Sequence, residues 1–342
     1  MSAEERRHPA AFPLDDRAVY DAYVAGRQSA ALTVGVRVGL FDALDRGPLD
    51  VQTVAANFGF SLRGARSLLV ALRAMGVLLD EDGAYRLSPE AGAYLVTGRP
   101  GSLVGLIELE MEHFLSPAAL LEALQKDDSS AYGDADPWQA HERDPEAAAR
   151  FTAAMHSVSG RPAAGFAEVA PLSGVTRLLD VGGGSGALSL ASAAAHADLT
   201  CTVWDLQVVC DLAREYASEV GLEGRVETLP GDMWNDDFPS GHDAVLLSQI
   251  LHDWSHEQGR QLLDKAFACL PSGGLVLIHE KLVNANGGPL ANALVNLDML
   301  VWTKGQQYSA SELEQMLEET GFEDVHCQPS AGYWSVVWAR KP

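Results

Sequence analysis

The stretch "LLDVGGGSGALSL" (178–190) restricts the fold of this chain more than any other. A short apolar run interrupted by one Asp reads as a buried strand. Gly182, Gly184 and Gly186 then let the backbone turn sharply into a helix and let a ligand approach it closely. Strand, Gly-rich turn and helix in that order predict a parallel sheet that binds its ligand at the carboxyl ends of the strands. By itself the turn is not specific. Dinucleotide enzymes and methyltransferases both use it, and some such turns only permit close packing of helix on strand.

The next two strand ends narrow the reading. Asp205 and Leu206 close "TCTVWDL", where an acidic side chain can accept hydrogen bonds from both hydroxyls of a ribose. "PGDMW" (230–234) then offers Asp232 for an adenine amino group and Met233 to lie against the ring. From about residue 175 short apolar strands alternate with helical stretches, the grammar of an α/β, Rossmann-like and mostly parallel sheet. The final segments "FEDVHCQPS" and "GYWSVVWAR" are expected to pair as an antiparallel hairpin at one edge.

The first hundred residues follow another pattern. "ALTVGVRVGLFDAL" (31–44) reads as a helix pair. Two short helices follow around Gly59, with Ser61 as an N-cap, and Asp82-Gly83 marks a hairpin. Helix, turn, helix and hairpin predict a winged helix. Residues 1–100 are therefore expected to form one domain and 166–342 the catalytic one. Residues 101–165 form a helical linker, broken by "DDSSAYGDADPW" and resumed by a helix with Asp144 as cap and Pro145 in its first turn.

A winged helix raises the possibility of a DNA-binding regulator. Arg63, Arg66 and Arg73 could meet phosphates, but Leu62, Leu68, Leu69, Val70 and Leu72 on the same helix exceed what a small core needs. The net charge of −23 repels nucleic acid. Dimerisation against a second copy is the favoured use, with no nucleic-acid partner. Cys201, Cys210, Cys269 and Cys327 form no C-x-x-C pair. The first residues carry no apolar stretch typical of a secretion signal, and no run of 18 apolar residues suggests a membrane span. A cytoplasmic protein without a membrane partner is expected.

"LLSQILHDW" (246–254) ends an apolar run on His252 and Asp253. The plain reading is a hydrogen-bonded histidine at a strand–helix junction, with Asp253 capping the next helix. His242 and His256 read as surface residues, and His279 stays open.

Taken together, "LLDVGGGSG", "WDL", "GDM" and "LHDW", behind a winged-helix segment, resemble the S-adenosylmethionine-dependent small-molecule O-methyltransferases of plants and bacterial natural-product pathways. The resemblance runs from about residue 15 to the end. It implies S-adenosyl-L-methionine as cofactor, S-adenosyl-L-homocysteine as product, and a homodimer acting on a hydroxyl of a small aromatic metabolite. Gly182 and Gly184 would back the methionine part, Asp205 the ribose, and Asp232 and Met233 the adenine. Ser248 would lie beside the cofactor. Phe151, Met155 and Ser159 match a helix that closes over cofactor and substrate. His252 takes the place of the general base, with Glu280 as its orienting carboxylate. A second family carboxylate is replaced by Gln307, which accepts a hydrogen bond but brings no charge.

The substrate pocket is expected among Met111, His113, Phe114, Trp138, Met155, Met299 and Trp302, with Phe114 and Trp302 foremost. Some relatives of this architecture methylate carbon of 2-oxo acids through a metal held by the equivalent His. Here no second His stands at Trp302 or Thr303, so a metal is possible but not favoured.

Overall fold

The computed structural model describes residues 14–112, 116–126 and 144–342, with the backbone alone at 111 and 112. The chain divides into two compact units, 1–108 and 109–342.

In the first unit α1 (Arg17–Arg37) and α2 (Leu40–Asp45) are followed by a short strand, β1 (Leu49–Asp50), and by α3 (Val51–Phe58) and α4 (Leu62–Ala74). Asp50 caps α3 by accepting from the Thr53 N–H at 2.7 Å. Left-handed Gly59 ends it, and Ser61 caps α4 as expected. Strands β2 (Leu78–Glu81) and β3 (Ala84–Leu87) precede α5 (Pro89–Tyr94). Asp82 and Gly83 both take positive φ, so the expected hairpin forms; β3 also pairs with β1, giving the order β1-β3-β2. Leu40, Phe41, Leu69 and Leu72 form the core of this unit. Val19, Tyr20 and Tyr23 of α1, with Leu62 and Val70 of α4, are exposed.

The division between units falls within α6 (Val104–Glu112). Beyond it come α7 (Pro117–Lys126) and the long α8 (Pro145–Val169), which Asp144 caps by accepting from the Ala147 N–H. The sheet unit then runs β4 (Arg177–Val181), α9 (Ala187–Ala195), β5 (Thr200–Asp205), α10 (Gln207–Glu219), β6 (Val226–Pro230) and β7 (Ala244–Ser248). A single 3₁₀ turn (Leu251–Asp253) leads to α11 (His256–Cys269), β8 (Leu275–Glu280), α12 (Leu290–Trp302) and α13 (Ala310–Thr320). Strands β9 (Glu323–Pro329) and β10 (Ser335–Arg340) finish the chain.

The strand order is β6-β5-β4-β7-β8-β10-β9. Strands β4 to β8 are parallel, and β10 and β9 close one edge in antiparallel register, as the sequence suggests. Alternate residues bury to opposite faces. Leu179, Val181, Val245 and Leu247 pack with Leu262 of α11 and Met316 of α13; Leu178, Val203 and Leu246 pack with Phe166 of α8 and Leu188 of α9. The order reverses between β4 and β7, which places a ligand crevice at their carboxyl ends.

Two expectations about single residues are corrected. His242 is not a surface residue: it is buried before β7, within 3.1 Å of both the Pro239 carbonyl and the Thr202 hydroxyl. Asp253 does not cap α11. Ser255 does so in a reciprocal box with Gln258, which leaves the Asp253 side chain turned back to His252. His256 is exposed as expected, and His279 lies in the core, stacked on Trp334.

Candidate active site

Gly182 ends β4 with φ +61, and its N–H donates to the Trp204 carbonyl at 2.8 Å. A Cβ there would lie 2.5 Å from Ile250 Cδ1 and 3.1 Å from Met233 Cε. The glycine turn, the turn after β6 and the segment after β7 therefore meet at one point, and only a hydrogen fits between them. Asp205, at the end of β5, accepts from the Gly184 N–H at 2.9 Å and the Leu206 N–H at 2.7 Å. Burial pushes its carboxyl up to about 6, although both N–H groups pull the other way.

Asp180 lies under this loop. Its carboxyl sits 2.7 Å from where a Gly183 Cβ would stand, and one oxygen accepts from the Ser189 hydroxyl at 2.7 Å. The other oxygen is buried with no hydrogen-bond partner among the described residues, and burial lifts the group to about 7. The glycine cradle, the Asp205 carboxyl and the polar atom left open on Asp180 fit a nucleoside carrying hydroxyl and amino donors.

In the turn after β6, burial pushes the Asp232 carboxyl up, but the Trp234 N–H and the Asn235 side chain and N–H outweigh it and hold the group below its ordinary range. Much of this carboxylate thus shapes its own turn. Lys265 of α11 fixes the same turn by donating to the carbonyls of Met233, Trp234 and Asp236 at 2.7 to 2.8 Å.

His252 occupies the 3₁₀ turn after β7, nearly enclosed. Its Nδ1 is 3.1 Å from Glu280 Oε2 and 2.8 Å from the Gln307 side-chain amide. Glu280 Oε1 accepts from the Ile250 N–H at 3.2 Å. A proton placed on Nδ1 can be donated to Glu280 Oε2. Turning the Gln307 amide so that its oxygen faces the ring gives partners to two buried oxygens that otherwise lack them, Glu280 Oε2 and Gln307 Oε1. Nε2 is then a free lone pair, 3.5 Å from Asp253.

The electrostatics support a neutral imidazole. Burial and then the Lys281 charge lower His252 to about 4, against the Gln307 side chain and the Gln249 carbonyl. Burial and the neighbouring Asp253 raise Glu280 well above the usual carboxylate range. Burial alone lifts Asp253 to about 8.

Other expected residues are placed as follows. The Ser248 hydroxyl lies 3.3 Å from His279 Nδ1, engaged with β8. Ser159 of α8 is buried and accepts from the Gln249 side chain at 3.4 Å. Met155 on α8, and Met299 and Trp302 on α12, are half-buried. Phe114, His113 and Trp138 lie outside the described residues, as does the Met111 side chain. Among the described residues, no three His, Cys, Asp or Glu side chains converge as a metal site would need.

Sequence reasoning missed several contributors. Gln249 has φ +55, uncommon for a residue with a side chain, and this turns its carbonyl towards His252. Gly305 packs so tightly on the His252 backbone that a Cβ would collide with the His252 carbonyl. His156 of α8 lies 2.8 Å from the Ser185 hydroxyl in the glycine turn and stacks on Tyr216. Only Asp180 gave a signal, as a charge inside an apolar strand.

Comparisons with known proteins identify the family. A family model described as an O-methyltransferase domain matches residues 118–323, and one for an O-methyltransferase dimerisation domain matches residues 23–97. The chain is 38% identical to 3-hydroxy-5-methyl-1-naphthoate 3-O-methyltransferase of Streptomyces sahachiroi, over 87% of both chains. It is 32% identical to the N,N-dimethyltransferase OxyT of Streptomyces rimosus, over 90% of both. Among solved structures, human N-acetylserotonin methyltransferase in complex with SAM superposes with a TM-score of 0.84 at 25% identity, covering 100% of this chain and 99% of that one. The chain is thus a member of the S-adenosylmethionine-dependent O-methyltransferase family, with a dimerisation domain ahead of its catalytic domain.

Proposed function

We propose that this methyltransferase acts as a homodimer on a hydroxyl of a small aromatic metabolite, with His252 as its general base. The observation that carries this is an enclosed imidazole, held neutral by burial, whose Nδ1 lies against Glu280 and Gln307 and so leaves Nε2 as its proton acceptor. A hydroxyl must lose its proton to become a good nucleophile, whereas a neutral amine attacks without that help. An oxygen acceptor is therefore favoured over the nitrogen chemistry named for one relative, and the hydroxynaphthoate named for another suits the half-buried Met299 and Trp302.

When bound, S-adenosylmethionine supplies an electrophilic methyl on a sulfonium. Gly182 and Gly184 would admit its methionine part, Asp205 would accept from its ribose, and Asp232 and Met233 would border its adenine. His252 Nε2 receives the hydroxyl proton as the oxygen attacks. The resulting imidazolium faces Glu280 at 3.1 Å, so each group favours the charged form of the other at that moment. Gln307 orients the ring without adding charge. The helix–turn–helix and wing of residues 1–100 serve dimerisation, residues 101–165 border the substrate, and residues 166–342 carry the cofactor. Four unpaired thiols fit a reducing cytosol.

His252→Ala tests the assignment. Turnover should fall about 10²- to 10⁴-fold, while S-adenosylhomocysteine affinity measured by calorimetry stays close to wild type. Unchanged turnover would overturn the role given to His252.

A further inference from the structure

Lys281 directly follows Glu280 at the end of β8. Its stem is half-buried, and its ammonium lies 5.0 Å from the centre of the Trp334 ring. Among the described residues it forms no hydrogen bond and no close ion pair. The carboxylates that act on it are Asp298 of α12, Glu110 of α6 and its neighbour Glu280. Burial holds the ammonium below its ordinary value, and burial also lifts Asp298 to about 6. The charge of Lys281 is felt at His252, so it stands at the same end of the sheet as the base.

A sheltered ammonium with no acceptor among the described residues gains most from a group that brings both an acceptor oxygen and a negative charge. Asp298 is the built-in competitor for it. Because that carboxyl takes up a proton close to neutrality, its charge can be removed when another anion arrives. A single ammonium matches the one charge of a carboxylate better than the two of a phosphate, which the overall charge of −23 also disfavours more strongly.

We propose that Lys281, beside the Trp334 ring, is a specificity determinant that recognises a carboxylate carried by the same aromatic substrate whose hydroxyl is methylated. The proposal rests on the aromatic-hydroxyl reading above and adds the acidic substituent to it.

The test uses the full chain loaded with S-adenosylhomocysteine, with 3-hydroxy-2-naphthoic acid and its carboxamide as probes, titrated by calorimetry. Wild type should bind the acid about tenfold or more tightly than the amide. In Lys281→Gln that ratio should collapse to within about twofold, and Lys281→Arg should keep most of it. S-adenosylhomocysteine affinity of each variant reports whether it has folded. An equal acid-to-amide ratio in wild type and Lys281→Gln overturns the proposal, as does failure of wild type to bind either probe. Methyl transfer to the two probes separates the two levels. If the amide is methylated as efficiently as the acid, the carboxylate proposal falls and the aromatic hydroxyl stands. If neither is methylated, the aromatic-hydroxyl reading falls with it.

Discussion

At Nδ1 of His252 one carboxylate and one amide meet the ring. A second carboxylate in place of the amide would favour the imidazolium more strongly. Because burial and Lys281 already hold the ring at about 4, the acid limb of the kcat/KM profile should lie well below the ordinary histidine range. Gln307→Glu adds a negative charge beside Nδ1, so its acid limb should move to higher pH than that of wild type. A pH–rate profile of both proteins checks this, and coincident limbs would separate Gln307 from the titration of His252. Asp253 gives the complementary prediction for stability. Its folded value of about 8 exceeds that of the unfolded chain, so its contribution is fully present below about pH 4 and is lost as pH rises through 8. Asp253→Asn should therefore gain in melting temperature over wild type at pH 8 and show little gain at pH 4.

Asp205 could be singled out because it ends the strand that follows the glycine turn, whereas His252 and Glu280 were pointed to by the family resemblance. Asp253 was misread as a cap because Ser255, two residues on, offers the same chemistry and has Gln258 in position to reciprocate. Lys281 and Asp298 carried no sequence signal, since they come from a strand end and a helix that only the fold brings together.

At the level of elements, the alternation of strands and helices and the Asp82-Gly83 hairpin could be read directly, because both are local. What could not be read is how the connections meet. The segment after α12 reaches His252 through Gly305, whose backbone lies against the 3₁₀ turn with no room for a side chain. Gly305→Ala should push this segment away and carry Gln307 off Nδ1. Turnover should then drop by about tenfold or more, on the scale of misplaced catalytic groups, with cofactor affinity nearly unchanged. Loss of both together would assign Gly305 to general folding. His242 shows the same limit from the other side: nothing local distinguishes an exposed turn histidine from one folded back over β5.

For the whole molecule, the surplus of apolar residues on α4 was visible from composition, and the fold leaves Leu62 and Val70 exposed together with Val19, Tyr20 and Tyr23 of α1. A dimerisation domain accounts for such residues by covering them with a second copy. The double variant Leu62→Glu/Val70→Glu should shift the protein from dimer to monomer in analytical ultracentrifugation at micromolar concentration. Retention of the dimer would place the interface elsewhere.

Ile250 touches both halves of the chemistry. Its terminal methyl fills the space that a Gly182 side chain would need, and its N–H holds Glu280. A change of side chain there would alter the packing on Gly182 but, unless it were to proline, would keep the N–H to Glu280.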